Sequence, residues 1–340
     1  MRKTPRVRRI RPRTLCPSLF AAYIDGSDMM RASHACVGLM MDPLSDVLSM
    51  LRPTDYAFRG LEAGGSWSLH YPADGSLKCF AVTLGSCWLY GDAPIGRRQL
   101  RQGDVVMVSG GTAFRVCSDL EQQPVDVAEA LTVVGPGNVA QIGTGIDCAG
   151  LGGYFGFGNT HASILLAMLP QVLHVSSAAG EALRLSIARL MEELRCPRPG
   201  GQLMASHFAQ ALLIEALRHH LDGAAPGRGN WLYALQDSKL STALGAIHAE
   251  PGRPWTVALL AATAGMSRSA FAAHFAETVG EAPMAYVTRW RMLLACERLA
   301  VKGATISRVA TSLGYESDSA FGAAFKRVLG ASPRKVSEAS

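Results

Sequence analysis

The 340-residue chain lacks the long apolar runs that mark membrane-spanning and secreted proteins. Its longest hydrophobic stretches are interrupted well short of the about 18 residues that a membrane-spanning helix requires. The basic start is followed by neither a clean apolar block nor a small-residue cleavage site, which argues against a signal peptide. We therefore expect a cytoplasmic protein that has no membrane partner.

Paired cysteines are lacking as well. The eight cysteines are scattered along the chain and form no C-x-x-C motif. In a reducing compartment we expect free and mostly buried thiols, with no structural zinc and no other cofactor. The positions are Cys16, Cys36, Cys79, Cys87, Cys117, Cys148, Cys196 and Cys296.

Histidine is scarce where a metal-dependent enzyme would need it. Only His70 falls among the strands predicted below, and no H-x-H motif with a following carboxylate is present. One imidazole cannot supply the three or four ligands of a catalytic metal ion. On a predicted helix further along, His207, His219 and His220 form no i, i+4 pair. The sequence therefore predicts no metal site and no catalytic residues, and we expect no enzyme.

Charge is present but unevenly distributed, although the net formal charge is only +6. Residues 1–40 carry 8 Lys and Arg against 2 Asp and Glu, and residues 238–340 carry 12 against 7. The intervening residues 41–237 carry 13 against 18. This distribution favours a nucleic-acid partner at one end of the chain only.

The basic segment 1–40 has no hydrophobic period, so we expect it to be disordered. Three interpretations stay open: a flexible arm that contacts DNA, a targeting peptide, or sequence upstream of the true start. The residues from Met40 and Met41 onward look like a natural beginning, because Asp42 or Ser45 is placed to cap an amphipathic helix.

From about residue 55 to residue 175 the pattern changes to short apolar or alternating runs, which glycine and proline interrupt. Many short strands of this kind indicate a sandwich or a small barrel. The predicted strands are SWSLHY, LKCFAVTL, SCWLYG, DVVMVSGG, AFRVCS and DVAEALTVV. The segment QLRQGDVVMVSGGTAFRV resembles the second half of a cupin barrel, although metal-binding cupins usually have histidine where this chain has Phe114.

A small barrel offers a pocket for an effector at its mouth. Polar and aromatic residues of the predicted strands are candidates to line that pocket, and the alternative is that they merely fill the barrel. Cys79 and Cys87 flank a predicted hairpin, so they are either redox-active or buried and inert. The candidate effector-pocket residues are Trp67, His70, Tyr71, Cys79, Trp88, Tyr90, Phe114 and Arg115.

Apolar residues at helical spacing predict three helices after the strands, over residues 162–174, 181–196 and 203–221. A stretch rich in glycine, at residues 222–230, indicates an interdomain linker. Excess apolar surface on these helices indicates a homodimer interface, although packing against the barrel explains it equally well.

The C-terminal region contains one pattern twice. SAFAAHFAETVGEAP begins at Ser269 and SAFGAAFKRVLGASP begins at Ser319, so that seven residues recur fifty positions later. An apolar run that ends in glycine, at Gly265 and at Gly314, precedes each copy. The simplest interpretation is a duplicated unit of helix, glycine turn and helix, as in helix-turn-helix motifs.

In each unit, two phenylalanines four residues apart anchor one face of the second helix, and the opposite face is free to meet DNA. Thr256 is placed to cap the helix that opens the first unit. Between the units, Met284 to about Ala300 is predicted to form one helix, whose seventeen residues span roughly 25 Å at ~1.5 Å each. Such a strut suits two recognition helices in successive major-groove faces about 34 Å apart.

WTVALLAATAGMSRSAFAAHF, TRWRM and VATSLGYESDSAFGAAFKRVLGASP together strongly resemble the AraC/XylS family of transcription regulators. The predicted barrel and the segment MDPLSDVLSMLRP resemble the cupin-type sensor domain of one AraC subgroup. The resemblance implies sequence-specific binding to DNA, with activity set by a signal at the sensor domain. It also implies contact with RNA polymerase, as in an activator.

The sequence departs from the family pattern at positions that matter for DNA. The family often has arginine where this chain has Ala273 and Ala323, and such arginines supply about 1–3 kcal/mol each when bidentate. Val336 and Ser337 stand in place of an aromatic–arginine pair. The resemblance thus implies the fold but not the target sequence. The candidate DNA-contacting residues are Arg268, Ser269, Ala272, His274, Arg289, Arg291, Ser317, Asp318, Ser319, Lys326 and Arg327.

These patterns predict an α+β protein with an N-terminal cupin-like β-barrel, a helical connector and a C-terminal all-α domain that holds two helix-turn-helix units. The expected function is transcription regulation by a small ligand or a redox signal, with double-stranded DNA, RNA polymerase, an effector and a second copy as partners. The alternatives are a metal-dependent cupin enzyme fused to a DNA-binding module, or a module that acts through protein contacts. The predicted domains are 1–40, 41–158, 159–229 and 230–340, with helix-turn-helix units at about 256–277 and 305–328.

Overall fold

A computed structural model of the chain describes residues 42–51, 53–109, 111–132, 134–135, 138–158, 161–176, 181–223 and 229–338. The interpretations of segment 1–40 lie outside these residues. Asp42 caps the first described helix, as predicted, because its side chain accepts a hydrogen bond from the Ser45 amide at 2.9 Å.

The described strands lie in the N-terminal half of the chain, and most of the described helices follow them. The strands are β1 (Asp55–Gly64), β2 (Ser68–Tyr71), β3 (Leu77–Leu84), β4 (Ser86–Gly91), β5 (Gly96–Arg101), β6 (Val105–Ser109), β7 (Phe114–Cys117), β8 (Val125–Asp126), β9 (Val134–Gly135), β10 (Val139–Gly143), β11 (Cys148–Gly156) and β12 (Val172–Val175). The helices are α1 (Pro43–Met50), α2 (Val127–Ala130), α3 (Ala162–Leu166), α4 (Glu181–Arg195), α5 (Gly201–Gly223), α6 (Trp231–Ala234), α7 (Ser238–Ala249), α8 (Val257–Thr263), α9 (Arg268–Val279), α10 (Pro283–Leu299), α11 (Ile306–Ser312), α12 (Asp318–Leu329) and α13 (Pro333–Glu338). Of the helices described, none is both long enough and apolar enough to span a bilayer.

The described strands form two sheets. One has the order β12-β6-β3-β11-β1-β10-β9, and the other has the order β5-β4-β7-β2-β8. An apolar layer between them draws side chains from both sheets, such as Phe80 and Val82 on β3 and Leu89 on β4. The cupin-like fold is therefore confirmed, and among the described strands it is a two-sheet sandwich of the jelly-roll kind rather than a closed barrel.

The strand β3 is buried on both faces for most of its length, because helices cover the other side of the seven-stranded sheet. Phe80 and Val82 point into the sandwich, whereas Cys79 and Ala81 point toward the helices. Such a strand appears in the sequence as a continuous apolar run.

Two predicted elements are wrong. The predicted helix 162–174 is only the short α3, since Pro170 cannot continue a helix, and the residues after it pair with β6 as β12. The predicted strand DVAEALTVV is interrupted by the four-residue helix α2, because the Asp126 side chain caps this helix by accepting a hydrogen bond from the Ala128 amide at 2.8 Å. In both places a local breaker or cap overrode the apolar pattern.

The duplicated sequence forms two helix-turn-helix units, as predicted. The first unit is α8 with α9, the second is α11 with α12, and the 17-residue helix α10 joins them. Thr256 and Thr305 cap the first helix of each unit by accepting a hydrogen bond from the amide three residues further on. Gly265 and Gly314 make the turns at φ values of 63° and 79°, a region that favours glycine.

Two separate apolar clusters hold the helices. The first cluster is continuous from the helix-facing side of the seven-stranded sheet, through α1, α4, α5 and α7, to α8, α9 and the first half of α10. The second cluster consists of the rest of α10 with α11 and α12. The sandwich and the first helix-turn-helix unit therefore share one core, and the second unit has its own.

Candidate nucleic-acid interface and its link to the sandwich

The recognition helix of the first unit, α9, has one buried and one exposed face. Phe271 and Phe275 are both 0% exposed and fix the helix against the shared core. Arg268, Ser269 and Ala273 lie on the exposed side. The Ser267 side chain accepts a hydrogen bond from an amide of the first turn, so the helix begins at Arg268.

The recognition helix of the second unit, α12, repeats this arrangement. Phe321 and Phe325 are fully buried, and the Ser317 side chain caps the helix by accepting a hydrogen bond from the Ala320 amide at 3.2 Å. Several of the predicted DNA-contacting residues are exposed on or beside this helix. They are Ser317, Asp318, Ser319, Lys326 and Arg327.

Three basic residues of the predicted DNA-contacting set are engaged in contacts within the protein. His274 lies 2.7 Å from a carboxylate oxygen of Asp237, the residue that also caps α7. The Arg291 side chain donates hydrogen bonds to two backbone carbonyl oxygens ahead of the first unit, each at 2.7 Å. Arg289 forms an ion pair with Glu281. The side chains of these three residues therefore stabilise the domain through contacts within the protein. Ala272, another predicted DNA-contacting residue, is half-buried.

Two exposed cations beside the second unit were not among the residues that the sequence indicated. Arg308 lies on α11 and Lys302 lies in the loop that precedes it, and both are exposed. The neighbouring Arg298, by contrast, donates a hydrogen bond to the Ser312 hydroxyl at 2.6 Å. The signal was available in the sequence, because a basic residue on the first helix of a repeated unit is close to the DNA-facing surface.

A buried chain of polar side chains connects the sandwich side of the molecule to the first unit. Asp46 lies on α1, His248 on α7, Tyr286 on α10 and Trp231 on α6. The His248 Nδ1 atom is 2.8 Å from Asp46 Oδ2, and His248 Nε2 is 2.7 Å from the Tyr286 hydroxyl. Trp231 Nε1 donates to the same hydroxyl at 2.8 Å. We call these four residues the buried relay.

The buried relay is fully satisfied when His248 is neutral. Its Nδ1–H then donates to Asp46, while the Tyr286 hydroxyl donates to Nε2 and accepts from Trp231. A second proton on His248 would leave the hydroxyl hydrogen of Tyr286 without an acceptor. Burial lowers the pKa of His248, although the hydrogen bond with Asp46 acts in the opposite direction. The imidazole also stacks on the Trp290 ring, with 3.7 Å between the centroids.

A second buried imidazole reaches the other half of the strut. His161 precedes α3, is 4% exposed, and places Nε2 3.3 Å from a carboxylate oxygen of Glu297 on α10. Burial lowers the pKa of His161 as well. Buried histidines therefore contact the helix α10 near both of its ends, His248 at Tyr286 and His161 at Glu297.

The structure does not bring the eight predicted effector-pocket residues together. Trp67, Tyr71 and Phe114 lie in the layer between the sheets, and the rings of Tyr71 and Phe114 stack at 4.7 Å. Side chains alternate between the two faces of a strand. A second group of the predicted residues therefore lies on the outer face of the five-stranded sheet. That group is His70, Trp88, Tyr90 and Arg115.

The cysteines differ in position too. Cys79 faces the helices rather than the interior of the sandwich, and burial raises the pKa of its thiol to about 12. Cys87 lies between the sheets, where a hydrogen bond with Cys148 and burial raise its pKa. Both are held as protonated thiols, which react poorly with oxidants. Within the described ranges, no three His, Cys, Asp or Glu side chains are grouped so that they could hold a metal ion.

The chain is similar to several known proteins. A family model described as Cupin matches residues 42–222, and a family model described as Helix-turn-helix domain matches residues 260–339. An AraC-like transcription regulator of Streptomyces lividans is 38% identical over 295 residues, which are 86% of this chain and 97% of the relative. The HTH-type transcriptional regulator AlkR of Acinetobacter baylyi is 31% identical over 310 residues, 88% of this chain and 100% of the relative. A crystal structure of ToxT from Vibrio cholerae covers 84% of this chain and 95% of its own at 11% identity, with a TM-score of 0.36.

Proposed function

The chain belongs to the AraC family of transcription regulators, and on that premise we propose that its two helix-turn-helix units bind successive major-groove segments under the control of a signal at the sandwich. The observation that carries the proposal is a pair of exposed recognition faces on one strut. The 17 residues of α10 span roughly 25 Å. Together with the widths of the two units, this length suits grooves about 34 Å apart.

The proposed DNA contacts are the exposed members of the predicted set. On the first unit these include Arg268 and Ser269, and on the second they include Ser319, Lys326 and Arg327. Ala273 and Ala323 leave the centre of each exposed face without a charged side chain. We therefore expect phosphate contacts to supply most of the affinity, and small polar side chains with groove shape to supply the specificity.

The proposed control runs through the shared core and the buried relay. A signal that moves α1 relative to α7 changes the distance between Asp46 and His248, and through Tyr286 it shifts the strut. The effector is proposed to be a small molecule, because burial raises the pKa of the Cys79 thiol to about 12, and a protonated thiol reacts poorly with oxidants. RNA polymerase is proposed as the partner that reads the bound regulator.

A homodimer is proposed through the helical connector. Leu185 on α4 is 57% exposed and Leu203 on α5 is 62% exposed, although these helices pack together. Apolar side chains exposed on adjacent helices favour a partner surface. For this role we assign residues 41–158 to the sensor, 159–229 to the connector and 230–340 to DNA binding. The relatives are named as transcription regulators, which favours this function over the metal-dependent enzyme.

Selection of bound sequences from random duplex DNA tests the proposal. We expect a site of two elements whose centres lie about one helical turn apart. Ala323→Glu should remove selection for one of the two elements, because it places a carboxylate on the exposed face of α12. Ala93→Glu, at an exposed alanine in the loop between β4 and β5, is the matched control and should leave the site unchanged. Binding that is abolished by salt and shows no sequence preference would contradict the proposal.

A further inference from the structure

Two basic side chains of the seven-stranded sheet occupy inward-facing strand positions, where apolar side chains are expected. On β1, Arg59 is two residues before the inward-facing Leu61, and on β3, Lys78 is two residues before the inward-facing Phe80. Residues two apart on a strand share a face. Arg59 and Lys78 therefore point to the space between the sheets, at one end of the sandwich.

The strand β11 between them leaves room for a ligand. Its Gly152 pairs with both Arg59 and Phe80, so the row between these two side chains has no Cβ. In the next row, Tyr154 pairs with Lys78. A Cβ at position 152 would lie 3.5 Å from the Tyr71 hydroxyl of the opposite sheet.

These residues border a cavity of about 430 Å³. This volume lies within the roughly 300–1,000 Å³ that small-molecule sites occupy. Apolar groups from β1, the β2–β3 loop and the α2 segment form much of the wall, and two tyrosines add aromatic surface. The apolar and aromatic lining residues are Ala57, Tyr71, Pro72, Val127, Ala128, Leu131 and Tyr154.

The two cations differ in how they are neutralised. The Lys78 ammonium donates hydrogen bonds to Asp74 at 2.5 Å and to the Ser76 hydroxyl at 3.2 Å, so its charge has a partner. Arg59 donates one hydrogen bond, to the backbone carbonyl of Leu131 at 2.9 Å. No carboxylate of the described residues lies within ion-pair distance of its guanidinium. A half-buried guanidinium favours an anion that can accept two parallel hydrogen bonds.

We propose that this cavity is the effector site of the sensor and that it takes a small organic carboxylate with an apolar or aromatic body. The carboxylate pairs with Arg59, and the body packs between the α2 segment and the two tyrosines. The inference rests on the proposed function, since it names the ligand class of the signal at the sandwich. Arg59 and Lys78 carry it, and neither was among the pocket residues that the sequence indicated.

Isothermal titration with 3-phenylpropionate and with its uncharged analogue 3-phenylpropanamide tests the proposal. The full chain should bind the carboxylate, and Arg59→Gln should weaken this binding by about ten- to a hundredfold, the effect of losing one charge-assisted pair. Arg59→Lys should weaken it less, because the charge is kept. Arg97→Gln removes an exposed arginine that stacks on Trp88 on the other sheet, and this matched control should leave binding unchanged.

Three results would overturn the proposal: equal affinity for the carboxylate and the amide, undiminished binding by Arg59→Gln, or no binding of 3-phenylpropionate and of octanoate. Unfolding curves of Arg59→Gln and Arg59→Lys identify a variant that fails to fold, and the result is then read from the folded one and from the amide comparison. Each preparation is also titrated with its selected DNA site. Protein that binds DNA but neither carboxylate refutes this site alone, whereas protein that binds a carboxylate but no specific DNA refutes the proposed function alone.

Discussion

The two helix-turn-helix units are copies in local structure but differ in what they are attached to. Both use a threonine cap, a glycine turn, a serine cap and two buried phenylalanines. The phenylalanines of the first unit belong to the core that continues into the sandwich, and those of the second belong to a separate core. Duplication of a sequence has therefore not produced duplication of a role. The first unit shares its core with the sandwich, whereas the described contact from the sandwich side to the second half of α10 is that of His161 with Glu297.

The two helix-turn-helix units also differ in the number of their exposed cations. On the first unit, His274 is tied to Asp237, and Arg268 is the exposed cation of the described α8–α9 pair. On the second unit Arg308, Lys326 and Arg327 are all exposed. Since affinity for phosphates grows with the number of neutralising cations, the second unit should contribute more of the binding energy.

The largest expected effects come from truncating one phenylalanine in each core. Phe271→Ala and Phe321→Ala should each cost about 3–5 kcal/mol, because both side chains are completely buried. Hydrogen exchange should show the loss in different places. Phe271→Ala should deprotect α7 to α9 and the first half of α10 together with α1, whereas Phe321→Ala should deprotect α11, α12 and the second half of α10. Deprotection of the same set of helices by both variants would refute the division into two cores.

The next largest effect compares the loss of stability when one tyrosine hydroxyl is removed from the buried relay and one from the second unit. Tyr286→Phe removes the hydroxyl that joins Trp231 and His248, and leaves a buried donor and a buried acceptor unsatisfied at about 1–3 kcal/mol each. Tyr315→Phe, in the second unit, removes a half-buried hydroxyl beside Arg291 and should cost about 1 kcal/mol or less. Urea unfolding of both variants measures the difference. Equal costs would show that the relay contributes no more than a surface hydrogen bond.

Sequence patterns predicted the parts of the molecule that depend on local chemistry. The repeat at a spacing of fifty predicted both units, and Thr256 and Asp42 were identified as caps, because capping needs only a side chain and an amide two or three residues away. The strand segments LKCFAVTL and SCWLYG match β3 and β4 in full. Where Pro170 and Asp126 act, the same apolar pattern predicted the wrong element.

The buried relay could not be predicted, because its residues have no period and come together only in the folded chain. Asp46 and His248 are separated by 202 positions, and Trp231 and Tyr286 by 55. Of the residues that line the cavity beside Arg59, the sequence indicated Tyr71 but neither Arg59 nor Lys78, for another reason. Since β3 is buried on both faces, its sequence does not show which face is the interior, so Cys79 was chosen and Lys78 was not.

A smaller effect should distinguish the units in DNA binding. Removal of one cation that neutralises a phosphate lowers the slope of log K against log salt by about 0.9. Arg268→Ala should therefore lower it by about 0.9, and the double variant Lys326→Ala with Arg327→Ala by about 1.8. Fluorescence anisotropy between 50 and 300 mM salt measures the slope at about these concentrations. Arg97→Ala, at an exposed arginine of β5 that stacks on Trp88, should leave it unchanged. A larger change for Arg268 than for the pair would reverse the assignment of the second unit as the anchor.

The smallest effect is a dependence on pH that the first unit should show more strongly than the second, because the buried His161 reaches only Glu297 near the end of α10. Burial lowers the pKa of His248, so the folded chain keeps this imidazole neutral at a pH where the unfolded chain, with a pKa of about 6.5, takes up a proton. The unfolded state then binds more protons, and the free energy of unfolding falls as the pH drops below about 6.5, until the folded pKa is reached. The slope for one group is at most about 1.4 kcal/mol per pH unit.

The second unit offers the contrast that makes this measurable, because residues 292–338 contain no histidine. Hydrogen exchange at pH 7.5 and 5.5, corrected for the intrinsic rate, should show lower protection of α8 and α9 at the acidic pH and little change in α11 and α12. His248→Gln should flatten the response of the first unit without abolishing it, since burial also lowers the pKa of His161 and His220. If α11 and α12 lost protection as fast as α8 and α9, the titrating groups would lie outside the shared core, and the relay would not be what ties the first unit to the sandwich.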